Sequence, residues 1–261
     1  MLASFVIGFH TARMDNLLQT LHFLTENHIE VVRESQLVTI CQDSCMSSHP
    51  SLGEQFWSLT RPFKGTSHRN LNLPYMQLPY VTNLAVGMCV SDKIIVLESD
   101  RILPKGYFAE VVPAIEPGVQ ITTKLILKLK APATNDEISQ EKFEYFEDRR
   151  SQKNEIGCRN MWSGNTAFHK TDFYACGEMD TAYKGYGWAD SDMTNRMEQH
   201  GVQSMFRDEV ELHLWHPPTS YGTGDQKQMF IDNGLRFCKV WNTTLPDWFR
   251  QEIAVHKRVL L

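Results

Sequence analysis

The sequence predicts an α/β fold: a mostly parallel central sheet flanked by helices, with a helical C-terminal appendage. Three observations carry this. Residues 3–8 are a short apolar run, Leu17, Leu18, Leu21, Phe23 and Leu24 follow at close to helical spacing, and residues 37–41 are a second apolar run. Strand, helix and strand in that succession are the βαβ unit of a parallel sheet. Residues 93–97 are a further buried-strand run, and it stops abruptly at Glu98, Ser99 and Asp100. From residue 225 onward the pattern is helical, with an interruption at Leu245 and Pro246. No linker or internal repeat divides the chain. Residues 1–220 are therefore expected to form one domain, and residues 221–261 a helical extension packed on it.

The elements between these follow in order. Residues 44–75 are rich in Ser, His, Pro and Gly and read as a loop with one short helix. A helix is expected around residues 80–90. Leu125, Leu127 and Leu129 alternate with Ile126, Lys128 and Lys130, the period of a strand with one wetter face. Thr134 followed by Glu137 is a capping-box signal, which predicts a helix running on through residues 141–150. Residues 162–168 read as a loop entering a strand. Residues 190–200 read as a helix, with Met193 and Met197 one turn apart and Gly201 as its stop. Residues 210–215 are another strand.

Composition narrows the function classes. The chain has 261 residues, 42% hydrophobic and 22% charged, which is ordinary for a globular protein. Lys plus Arg number 26 against 31 Asp plus Glu, a formal net charge of -5. Proteins that grip phosphate backbones carry the opposite balance, so nucleic acid is not an expected partner. The six cysteines are scattered without a CxxC pair, which argues against a zinc ribbon and for reduced core thiols. No run approaches the ~20 apolar residues of a transmembrane helix, and the N-terminus lacks the basic start of a signal peptide. A soluble, cytoplasmic protein is the expectation.

Four groups of residues could carry chemistry. Glu98 and Asp100 lie two residues apart just past a buried strand, where open α/β sheets bind ligands, and could converge on a hard cation such as Mg²⁺ or Mn²⁺. A solvated polar strand end is the plainer alternative. Gly185, Tyr186, Gly187 and Trp188 precede Asp190 and Asp192: glycines for a close approach, aromatics for a stacking wall, then two acids opening a helix. Acids at a helix start also complement the macrodipole with no further role. His213 and His216 lie near a strand end, so one could be a metal ligand and the other a supporting residue. Trp162, Ser163, Gly164 and Asn165 form a small-residue loop whose backbone amides could reach a diphosphate or a sugar hydroxyl, or which is an ordinary turn.

Each signal is weak alone, but their order resembles the glycosyltransferases of the nucleotide-sugar-binding GT-A fold. The likeness is to the family 2 enzymes and to the galactosyltransferase C-terminal-domain type, over residues 3–216. Residues 6–13 resemble the opening strand and its basic loop, ending at Arg13. Gln42 and Asp43 stand where that fold has an acidic turn near the nucleotide base. Asn83 resembles the asparagine of an Arg-Asn-x-Gly helix start, with Thr82 in place of the arginine. Residues 97–104 resemble the DxD metal motif with its trailing proline, written here as Glu98-Ser99-Asp100. Residues 164–170 resemble a Gly-Gly-Asn-x-Ala-Phe-Arg-Arg segment. Residues 185–193 resemble Gly-Trp-Gly-x-Glu-Asp-x-Asp-Leu, with Ala189 replacing the Glu. His213 and His216 close the series as the late metal-binding histidine region.

The resemblance implies a metal-dependent transfer of a sugar from a nucleoside-diphosphate sugar to a glycan or other hydroxyl acceptor. Asp100, Glu98 and His216 would hold Mn²⁺ or Mg²⁺, with His213 supporting. Asp43, Gln42, Arg13, Asn83, Ser99 and Gly164 would bind the donor. Trp162, Asn165, Tyr186, Trp188 and Asp192 would face the acceptor or sugar. Asp190 would be the base, which fits inversion by direct displacement. A retaining transferase shares the fold and metal motif, and Ala189 leaves open an inactive carbohydrate- or nucleotide-binding module. A sugar nucleotidyltransferase is disfavoured, since residues 10–13 are not its Gly-rich basic loop.

Overall fold

A computed structural model describes residues 1–43, 50–73, 77–149, 161–162, 164–185, 187–217, 226–247, 249–251 and 253. The first half builds a parallel block. β1 (Ser4–Phe9) leads through a 3-10 turn (Thr11–Arg13) into α1 (Met14–Asn27) and the short α2 (Ile29–Val32), and then β2 (Gln36–Cys41). α3 (Pro50–Thr60), β3 (Gly65–Asn70), α4 (Leu78–Met88) and β4 (Lys93–Leu97) complete it. β1 pairs in parallel with β2 and β4, and β2 with β3. Period-two alternation sorts β1: Phe5, Ile7 and Phe9 face the α1 side, while Val6 faces the α4 side with Val38 and Ile40. Gly8 lets α4 close in, because a Cβ there would sit 2.9 Å from Val81 Cγ1.

The second half is mixed. It comprises β5 (Arg101–Ile102), α5 (Tyr107–Ala114), β6 (Val119–Leu129), α6 (Asn135–Ser139), β7 (Tyr145–Arg149), β8 (Asn165–His169), α7 (Lys170–Ala175), α8 (Ala189–Gln199), β9 (Gln203–His213) and α9 (Gln226–Trp241). The sheet order is β3-β2-β1-β4-β8-β6-β9-β5, with β7 also on β6. Past β4 the pairings are antiparallel, except β6 with β9.

That order forces curvature. β4 and β5 are four strand steps apart, about 19 Å in a flat sheet at ~4.8 Å per step. The chain from Leu97 to Arg101 can span only about 14 Å. The sheet must therefore curl until the end of β9 approaches the end of β4.

Several elements differ from the sequence expectation. Residues 44–75 hold a full helix, α3, and a strand, β3, whose polar Gly-Thr-Ser-His-Arg-Asn run carries no apolar alternation. The capping box forms as expected, with Glu137 N–H donating to Thr134 Oγ1 at 3.2 Å and Thr134 N–H to Glu137 Oε2 at 2.8 Å. Its helix nevertheless ends at Ser139, and residues 145–149 are β7, captured by antiparallel pairing with β6. β9 starts at Gln203 rather than 210. Helix α5, unassigned from sequence, packs Tyr107, Phe108, Val111 and Val112 into the α1-side core. Cys89, Cys176 and Cys238 are free thiols, but Cys41 is disulfide-bonded, contrary to the expectation. Among the described residues no helix is long and apolar enough to cross a membrane.

His28 is buried, with its ring 4.7 Å from that of Phe108. Burial lowers its pKa to about 4. In the unfolded chain it titrates near 6.5. The unfolded state therefore binds the proton first, and stability is lost as pH falls from 6.5 toward 4, by about 3 kcal/mol at pH 4. Urea unfolding of His28→Leu at pH 7 and pH 4 should show a pH dependence smaller by about that amount. An unchanged pH dependence would refute the assignment.

Candidate metal centre

The curl sets one short ladder at the sheet's end. Arg101 pairs with His213 and Ile102 with Leu212, and the Leu214 N–H donates to the Asp100 carbonyl at 2.9 Å. Asp100 is thereby held beside the end of β9. His216 Nε2 lies 3.4 Å from Asp100 Oδ2, and His213 Nε2 lies 3.7 Å from the same oxygen. One ligand atom from each of the three lies within 4.8 Å of the others, the one such cluster among the described residues. The strand ends at His213, so alternation does not carry on to His216, and both rings turn to one side with centroids 5.2 Å apart. His213 thus stands in the cluster, where a supporting place was expected.

The two histidines present ring nitrogens toward Asp100. His216 Nδ1 is 3.0 Å from the Pro217 carbonyl. A carbonyl only accepts, so Nδ1 donates there and Nε2 is the ring nitrogen turned toward Asp100. Burial, and then the charge of Arg101, push the His213 pKa down to about 2 and keep that ring neutral. Asp100 is fully buried, and burial drives its carboxyl pKa up, with Arg101 and Arg13 among the opposing charges. Two imidazoles and a carboxylate fit a divalent transition metal.

Arg101 organises the centre from behind. It is buried among three carboxylates. Its Nε donates to Glu98 Oε2 at 2.9 Å and lies 3.1 Å from Asp100 Oδ1, and its NH1 lies 3.4 Å from Glu211 Oε1. Burial works against its charge, but these carboxylates outweigh that and push its pKa further up. Glu98 is engaged by Arg101 and stands outside the three-residue cluster. Glu211 is itself buried, and accepts from Thr123 Oγ1 at 2.8 Å and from Asn165 Nδ2. Thr20 of α1 braces the turn, donating to the Ser99 carbonyl and accepting the Arg101 N–H, both at 3.1 Å. Arg101 and Glu211 were missed in the sequence. Their signals were an arginine directly after the acidic pair, and a glutamate two residues before His213 on the same strand face.

The donor-side residues divide. Arg13 pairs with Asp100. Asp43, just past β2, accepts from Thr11 N–H at 3.1 Å and lies 3.3 Å from His10 Nε2. Gln42 is buried, its Oε1 taking the Gln77 N–H at 3.0 Å. Asn83 is engaged at both ends of its amide with the Met179 backbone, at 2.9 and 3.0 Å. Ser99 is buried, and the Gly164 carbonyl accepts the Glu98 N–H at 2.7 Å.

The expected sugar-facing residues are mostly buried. Trp162 is buried against Phe168 and Phe173, with Nε1 donating to Gln120 at 3.2 Å. Asn165 is buried, its Oδ1 accepting from Tyr107 Oη at 2.9 Å. Trp188 is buried against Phe230, Phe237 and Phe249. Asp192 is buried and accepts from Arg196 Nε at 2.6 Å, Trp241 Nε1 at 2.8 Å and Tyr183 Oη at 3.2 Å. All four are buried and packed or hydrogen-bonded to neighbouring side chains. Gly187 serves helix packing as well, since a Cβ there would meet the Phe230 ring at 2.5 Å. Tyr186 lies outside the described residues. Asp190 is half-buried in the first turn of α8.

Comparison with known proteins agrees with this architecture. A family model described as the N-terminal domain of galactosyltransferase matches residues 149–214. No curated protein matches the chain by sequence. Among solved structures, GalNAc-T7 with UDP, GalNAc and Mn²⁺ aligns with a TM-score of 0.66 at 14% identity, over 91% of this chain and 47% of that one. S. aureus TarS aligns at 0.56 and 10% identity, over 97% and 42%. The Pyrobaculum calidifontis mannosyltransferase PcManGT, in complex with GDP-Man and Mn²⁺, aligns at 0.56 and 11%, over 84% and 58%. The chain thus spans about half the length of these proteins. The fold is the GT-A glycosyltransferase fold.

Mn²⁺ titration calorimetry on single variants checks the cluster. Asp100→Ala should abolish binding, and His213→Ala and His216→Ala should each weaken it about tenfold or more, the usual scale for a lost ligand or its support. Glu98→Gln should stay within about threefold. Loss of binding in Glu98→Gln alone would return Glu98 to the metal and remove the histidines.

Proposed function

We propose that the chain is a glycosyltransferase that moves a sugar from a nucleoside-diphosphate sugar to an acceptor hydroxyl, with Mn²⁺ held by Asp100, His213 and His216. The observation that carries this reading is that cluster, at the end of a GT-A sheet, with two histidine nitrogens 3.4 and 3.7 Å from one buried carboxylate oxygen. Mn²⁺ is favoured over Mg²⁺, because two imidazoles suit a transition metal while Mg²⁺ prefers oxygen donors. Two of the similar structures carry Mn²⁺ beside a nucleotide or nucleotide sugar. Bound there, the cation supplies a Lewis-acid charge against the leaving diphosphate.

The chain's own residues do the rest. Asp43, just past the end of β2, meets the base or ribose. Arg13, at the N-cap of α1, meets the diphosphate. Arg101 holds Asp100 in one orientation, so the carboxylate itself need not turn when the donor arrives. Asp190 takes the proton of the acceptor hydroxyl as that oxygen attacks the anomeric carbon, which inverts the configuration. The chain acts on nucleotide sugar and a hydroxyl acceptor in this reading, and the acidic balance disfavours nucleic acid.

A thermal-shift panel of UDP- and GDP-sugars with and without Mn²⁺ tests the donor. One donor class should stabilise the fold only with the metal present, by about 2.7 kcal/mol at a hundredfold excess over Kd. With that donor, Asp190→Asn should lower transfer by about two to four orders of magnitude and leave donor affinity unchanged. An anomeric product of retained configuration would end the inverting reading, and no metal-dependent stabilisation by any nucleotide sugar would end the whole proposal.

A further inference from the structure

We infer that Arg13 competes with the cation for Asp100: it holds that carboxylate in the metal-free protein and exchanges onto the donor diphosphate when the cation binds. This rests on the reading of Asp100, His213 and His216 as the metal site. The Arg13 guanidinium donates to Asp100 Oδ2. That is the same oxygen on which His216 Nε2 and His213 Nε2 converge, at 3.4 and 3.7 Å. A cation drawn to those three donors meets the guanidinium there, and two positive charges cannot share one oxygen without repulsion.

The two arginines at this carboxylate differ in their freedom. Arg101 is 4% exposed and contacts Glu98, Asp100 and Glu211 at once, so it is fixed. Arg13 is 17% exposed and sits at the end of a three-residue 3-10 turn, so it is less enclosed than Arg101. The charge balance favours the exchange. Three carboxylates and two guanidiniums leave one net negative charge at the centre, and release of Arg13 leaves two, the complement of a divalent cation. The turn that carries Arg13 is tied through the Thr11 N–H to Asp43, so the freed guanidinium stays on the edge where the nucleotide is expected. A planar fork of donors is suited to a diphosphate. The nucleotide gives Arg13 a new partner, so vacating Asp100 becomes easier. Metal and nucleotide then strengthen each other's binding by the same factor.

The experiment is Mn²⁺ titration of the intact chain, with and without UDP or GDP, whichever binds, for wild type, Arg13→Gln, Arg13→Lys and Asp100→Asn. Circular dichroism melts verify folding. Without nucleotide, Arg13→Gln should bind Mn²⁺ about tenfold tighter than wild type, within the ordinary range of coupling between sites, and Arg13→Lys should fall between. The nucleotide should tighten Mn²⁺ binding about tenfold in wild type and by much less in Arg13→Gln. If Arg13→Gln binds Mn²⁺ no tighter while Asp100→Asn abolishes binding, the exchange is overturned and the metal site stands. If Asp100→Asn binds Mn²⁺ undiminished, both are overturned.

Discussion

The chain leaves β4 at Leu97 and must pair with β9 four residues later. No flat sheet allows that, and the rest of the molecule follows from how the sheet curls to permit it. A two-residue ladder, Arg101 on His213 and Ile102 on Leu212, closes the curl. It is small, yet it brings a turn from the parallel half against the end of a strand from the mixed half. Register matters there more than strength. A slip of one residue would turn His213 to the other face and carry Glu211 away from Arg101. The helix α1 reinforces the register from the opposite side through Thr20.

A buried guanidinium among three carboxylates is not an economical way to stabilise a fold. Desolvation of such a group offsets much of its Coulomb attraction, and a well-packed apolar cluster often does as well. Its consequence here is orientation. Arg101 meets Glu98, Asp100 and Glu211, and Glu211 in turn meets Thr123 and Asn165, so the acidic turn, β6, β8 and β9 are joined through hydrogen-bonded side chains. One carboxylate of the acidic pair thereby bonds to Arg101, and the other lies beside the two histidines. The result is a carboxylate held in a single direction before any ligand arrives.

The aromatic and glycine-rich segment before Asp190 has a similar division of labour. Helix α9 lies on it. Asn233 accepts the Lys184 N–H and donates to the carbonyls of Lys184 and Gly187, and Trp241 reaches Asp192. Gly234 lets Phe249 and Trp188 approach the helix backbone, where a Cβ would lie 2.4 Å from the Phe249 ring. Trp188 itself adopts a left-handed backbone, φ 71°, to start α8. The C-terminal segment thus shapes the loop that delivers Asp190, and the large apolar groups that look like a sugar platform in one dimension are its packing surface.

The sequence by itself determined the parts that depend on local pattern. Apolar runs announced β1, β2 and β4, the Met193–Met197 spacing and Gly201 bounded α8, and the acidic pair after β4 with the late histidines pointed to a metal. These signals are local because strand burial and helix amphipathicity leave a period in the chain. Only the tertiary structure decided what long-range pairing decides. β7 replaced a helix that its capping box favoured, because β6 offered a partner. β3 formed without apolar alternation, because β2 had an open edge. Glu98 turned toward Arg101, and the end of β9 brought His213 beside His216 and Asp100. Trp162, Trp188, Asn165 and Asp192 proved to be interior groups, since burial depends on what folds over a residue and no spacing records that.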